Sequence, residues 1–63
     1  MLEEALLREQ FQNLLVKEQE ACQAYADLSK QITDPDALQQ LQLLQRDKQR
    51  HIRLIERLLE IVE

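Results

Sequence analysis

With 63 residues and no glycine, the chain has room for one small domain, and a domain of that size buries too little surface to be comfortable alone. Its single cysteine, Cys22, excludes an intrachain disulfide as the supplement, which leaves a metal or a partner chain. The net charge of −4 argues against a non-specific nucleic-acid binder, and the wealth of Leu, Gln, Glu and Arg, all strong helix formers, makes the composition all-α.

The first predicted helix runs from about Leu2 to Ile32. Its apolar stripe reads Leu7, Phe11, Leu14, Glu18, Ala21, Tyr25, Leu28 and Ile32, with steps that alternate between four and three. That alternation is a heptad seam, the spacing that keeps one helix face against a partner helix. Leu15 and Cys22 widen it. Glu18 is its only carboxylate. Tyr25 is read as a packing residue whose hydroxyl finds a partner, and Cys22 as a small hydrophobe.

The chain then turns at Thr33-Asp34-Pro35. Asp34 suits an N-cap, because its carboxylate can accept free N–H groups of the first turn. Pro35 falls at the first helical position, where a missing N–H costs nothing. Asp36 places negative charge at the positive end of the helix dipole. The second predicted helix runs from about Pro35 to Val62. Its stripe is Ala37, Leu41, Leu44, Lys48, His51, Ile55, Leu58 and Val62, flanked by Leu38, Ile52 and Leu59. Arg46, Lys48, Arg50, Arg53 and Arg57 make this half locally basic, which reads as a solvated face with acid–base pairing between helices. Leu6, Val16, Leu43, Leu54 and Ile61 lie off both seams and read as surface apolars or as support for further assembly.

Folding the two stripes into an antiparallel hairpin pairs residues equidistant from the turn. Leu7 then meets Val62, Phe11 meets Leu58, Leu14 meets Ile55, and Glu18 meets His51, with Lys48 beside them opposite Ala21. The ionisable residues of the seams converge on one central cluster. The fold expected over residues 1–63 is therefore a single all-α antiparallel helical hairpin. Its stripes are wider than one partner helix can cover, so two hairpins are expected to dimerise through a twofold axis into a four-helix bundle.

The stretches EQEACQAY and RDKQRH carry a family likeness. Glu18 is followed by Ala21 three residues on and Tyr25 seven on, and His51 stands where a metal-binding histidine would face Glu18. In this the chain resembles the ferritin-like superfamily, and most of all its rubrerythrin-type and encapsulated-ferritin-like half domains, over roughly residues 18–59. The resemblance implies a ferritin-like bundle built from hairpins. It also implies a carboxylate-bridged di-metal site made of one Glu and a Glu-x-x-His pair. Here the second glutamate is replaced by Lys48, and a charged ammonium cannot ligate a cation.

The leading expectation is a ferritin-like helical bundle with a degenerate di-metal site, structural or partner-binding rather than catalytic, without a cofactor. In it Lys48 takes the place of metal charge and pairs with Glu18. The alternative is a half-ferritin that binds Fe or Zn through Glu18 and His51 of two chains, with Asp47 adding an oxygen ligand and an iron-handling or oxidoreductase role. An RNA-binding hairpin dimer of the Rop type is disfavoured by the acidic charge and scarce aromatics. The expected partner is another copy of the chain, with neither membrane nor nucleic acid. No stretch approaches the roughly 20 apolar residues of a membrane span. Met1-Leu2-Glu3-Glu4 lacks the basic start of a secretory leader, and the unpaired cysteine fits a reducing compartment, so a cytoplasmic location is expected.

Overall fold

Helix-forming side chains run almost unbroken through both halves of the sequence. The computed structural model, which describes residues 2–62, folds them into two α-helices, α1 over Leu2–Ser29 and α2 over Pro35–Val62. Each has 28 residues and so a length of about 42 Å. They pack antiparallel into a hairpin 51 Å long. Among the described residues no helix is long and apolar enough to cross a membrane.

The N-terminus of α2 is built as its residue types require. Asp34 Oδ2 accepts the amide of Ala37 at 2.9 Å, and the Asp34 carbonyl accepts the amide of Leu38 at 3.0 Å. Removing this cap should show. We expect Asp34→Ala to cost about 1 kcal/mol, read as a melting temperature several degrees lower. An unchanged melt would mean that another group satisfies those amides.

The other side of the turn departs from the sequence expectation, for α1 ends at Ser29 rather than Ile32. The amides of Lys30 and Gln31 bond to the carbonyls of Asp27 and Leu28, tightening the last turn to three-residue spacing. The Ser29 hydroxyl donates to the Ala26 carbonyl at 2.6 Å and competes for the acceptor that would continue the α pattern. The residue before a proline is also kept out of the α region. Residues 30–34 therefore form the connector, and no residue in it takes a positive φ, as suits a chain without glycine.

The seam is rotated from the expected one. The half-buried residues of α1 are Arg8, Phe11, Leu15, Glu18, Ala21, Cys22, Tyr25, Ala26 and Ser29. On α2 they are Leu38, Leu41, Gln45, Lys48, His51, Ile52, Leu59 and Val62, and among the described residues Ile55, at 5% exposure, is the one that is buried. Leu7, Leu14, Leu28, Leu44 and Leu58, expected inside, are exposed. The physical reason is the width of the apolar arc, roughly 160° on each helix by the pitch of 3.6 residues per turn. One facing helix covers only part of that arc. The centre of the arc, where the sequence is most apolar, falls between the seam and an open flank.

That flank is one-sided. Leu7, Leu14, Ala21 and Leu28 of α1 share it with Leu44, His51 and Leu58 of α2, and Leu54 and Ile61 extend it. The opposite flank carries Gln12, Gln19, Gln42, Gln49 and Glu56. At the open end of the hairpin, the guanidinium of Arg8 donates to the Val62 carbonyl at 3.1 Å. The last turn of α2 has no basic residue of its own, so the cation that complements its dipole comes from α1.

Candidate functional site

Midway along the seam the apolar layers give way to three ionisable side chains. Glu18 projects from α1, and Lys48 and His51 project from α2, one helical turn apart and so on one side of it. The Lys48 ammonium lies 3.3 Å from Glu18 Oε1 and 3.2 Å from Oε2. His51 Nδ1–H donates to Glu18 Oε2 at 3.3 Å. The carboxylate thus has cationic or N–H donors on both oxygens. Its side chain is 16% exposed and that of Lys48 25%, while His51 at 44% opens onto the leucine-lined flank.

The register of the hairpin makes this contact. Glu18 meets both α2 residues that the sequence pattern aligned with it, although the helices are rotated from the expected seam. Asp47, the third candidate ligand, is exposed and takes part in none of the ion pairs or hydrogen bonds described here. Among the described residues no three His, Cys, Asp or Glu side chains are grouped as a metal would need. Arg8 is a polar seam residue that the sequence pattern missed, because Leu7 fits the apolar period at the neighbouring position.

A di-metal centre of the kind implied by the ferritin-like resemblance does not fit this donor set within one hairpin. Such a centre needs the lone pairs of a bridging carboxylate and a second carboxylate three residues before the histidine. Here the ammonium at that second position engages both oxygens of the first. What the arrangement does chemically is hold a carboxylate ionised in a half-buried place. The Lys48 hydrogen bond is the main cause that keeps the Glu18 carboxyl below its ordinary value of 4.5. Loss of solvent pushes the other way, and the His51 hydrogen bond and both positive charges add to the lowering.

A pH dependence follows. A depressed folded-state value means that the unfolded chain binds the proton more tightly, so protonation favours unfolding. The contribution of Glu18 is fully present above about pH 4.5 and is lost as pH falls through the depressed folded value. Urea melts of parent and Glu18→Gln, both in a His51→Gln background to remove the imidazole, should differ by a constant amount from pH 7 to 5. That difference should shrink toward pH 3. A difference that stays constant throughout would show that the ion pair adds no stability.

Comparison with known proteins adds no relative: no family model, no curated protein and no solved structure matches the chain.

Proposed function

We propose that the chain is a ferritin-like structural or partner-binding module that works as a homodimeric four-helix bundle, with Lys48 standing in for the charge of a metal at a degenerate site. The observation that carries this reading is the ammonium seated against both oxygens of Glu18, with His51 at the edge of an open apolar flank. A bound cation would neutralise the same carboxylate from a similar position. With the lysine in place that role is already filled, and no redox-active ion is needed to hold the core together. The reading is therefore non-catalytic.

Surface area supports the dimer. The chain exposes 5154 Å², whereas a folded monomer of 7.5 kDa is expected to expose about 4,250 Å². The excess of roughly 900 Å² is similar to the 800 Å² or so that each partner contributes to a standard interface. The open flank is self-complementary in length and character, with leucine layers on either side of the small and polar layer of Ala21 and His51. A twofold axis through it would place the two polar clusters near one another inside the bundle.

Sedimentation at micromolar concentration tests the assembly and should report a dimer or larger. A well-folded monomer would overturn it. Melting the same protein with Fe(II) or Zn and with chelator tests the site, and the parent should melt at the same temperature in both.

A further inference from the structure

A second face of the hairpin is left without an internal explanation. Arg46, Arg50, Arg53 and Arg57 follow one another on α2 at steps of four, three and four, and all are exposed. They form a row of about 16 Å on the side away from the seam, and the row reaches the outer edge of the leucine flank only at Leu54. Arg46/Arg50 and Arg53/Arg57 are like charges one turn apart, which weakens a helix. None of the four takes part in an ion pair among the described residues, where the pairs are Lys30–Asp27, Lys48–Glu18 and His51–Glu18. Glu56 and Glu60 share an open groove of about 640 Å³ with Arg50, Arg53, Leu54 and Arg57, and they too make no ion pair there.

The outward row of α1 has the matching pattern. It reads Leu6, Glu9, Asn13, Val16 and Glu20, all exposed, against Leu43, Arg46, Arg50, Arg53 and Arg57 on α2, with the same steps of three, four, three and four. Glu9 and Glu20 are spaced as Arg46 and Arg57 are. Neither glutamate has a cationic partner among the described residues, whereas Asp27, further along, is held by Gln23 and Lys30. The two rows lie on opposite outer sides of one hairpin and cannot meet within it.

We propose that the arginine row of α2 docks onto the acidic row of α1 of a second copy, so that Glu9 and Glu20 of one hairpin pair with Arg46 and Arg57 of another in either helix direction. Val16 supplies apolar surface between the charged pairs, and Leu6 and Leu43 supply it just beyond them. The docking patches differ, so the contact is heterologous and propagates, joining the leucine-flank dimers into larger assemblies. Nucleic acid is the poorer occupant. The chain is acidic overall, and its aromatics, Phe11 and Tyr25, are half-buried in the seam, where no base can stack on them. The proposal does not depend on the degenerate-site reading. It concerns a face that stays exposed whether or not the leucine flank is covered.

Charge reversal with rescue is the test. Sedimentation velocity of the whole chain is run across a concentration series at low and high salt. The parent should assemble beyond the dimer as concentration rises, and high salt should reverse this. Arg46→Glu/Arg57→Glu and Glu9→Arg/Glu20→Arg should each stop at the dimer, with the onset of larger species shifted at least tenfold in concentration. An equimolar mixture of the two double variants should regain larger species, because the reversed rows complement each other. All four substituted side chains are exposed, and circular dichroism should show unchanged helix content. Loss of assembly in neither variant, or failure of the mixture to recover it while both remain folded, would overturn the proposal. So would a 20-nucleotide RNA bound by the parent and lost on Arg46→Glu/Arg57→Glu, which would assign the face to nucleic acid. A parent that is monomeric at low concentration yet assembles in this way would count against the dimer alone.

Discussion

Lys48→Glu should make the stability of the protein depend on metal, where that of the parent should not. The substitution removes the ammonium that lies 3.2 Å from Glu18 Oε2 and puts a carboxylate in its place. One half-buried carboxylate then faces another, and a twofold dimer would crowd four of them into one core. Like charges at that spacing cannot all ionise, and some must take up protons. Without metal, the melting temperature should fall by on the order of 10 °C, the effect expected when a partly buried pair loses one partner and gains a repulsion. The new arrangement also creates Glu-x-x-His at positions 48 and 51, facing Glu18. Fe(II) or Zn that binds this set only in the folded state should then raise the melting temperature again, more so as its concentration exceeds the dissociation constant. Melts of parent and variant, with metal and with chelator, read out both halves. If the parent is strongly stabilised by metal and Lys48→Glu behaves no differently, Lys48 does not replace an ion. The reading of a half-ferritin with Glu18 and His51 as ligands would then take its place.

The leucine flank should be equally sensitive. Leu14 and Leu58 are exposed in the isolated hairpin and lie on its open side. Gln at these positions keeps helix propensity while removing apolar surface. Each leucine already buries part of its surface within the hairpin, so its further contribution in a dimer is about 1 kcal/mol. A twofold interface holds two copies of each. Leu14→Gln/Leu58→Gln should weaken association by about 4 kcal/mol, or roughly three orders of magnitude. Sedimentation equilibrium should show monomer where the parent is dimer. The control is Gln12→Ala/Gln49→Ala on the polar flank, which should leave the mass unchanged. If instead the polar-flank control dissociates and the leucine variant does not, the dimer uses the other side of the hairpin.

Much of this molecule follows from its sequence by local rules. The helices form because nearly every residue outside 30–34 favours them, and Asp34-Pro35-Asp36 starts α2 by capping chemistry that needs no tertiary information. The meeting of Glu18 with Lys48 and His51 was legible too. Heptad spacing fixes which residues share a face, and a short connector fixes which layers face each other across it. Small errors in either leave long side chains such as Lys48 within reach of the same carboxylate.

Rotation of each helix about its own axis was decided only by packing. A heptad pattern restricts a face to within about half a turn of the wheel, and here the apolar arc spans nearly that much. Any choice within the arc satisfies the periodicity equally well. Two cylinders in contact select one line along each, and that line runs through Leu15 and Leu59 rather than through Leu14 and Leu58, while Ala21 and Cys22, like His51 and Ile52, are both half-buried beside it. The same choice turned Arg8 to the end of α2, left Asp47 outside the polar cluster, and set five leucines on an open flank. Periodicity is a property of one helix, whereas the line of contact is a property of two, so the sequence determined the arc and only the tertiary structure decided which part of it the hairpin buries.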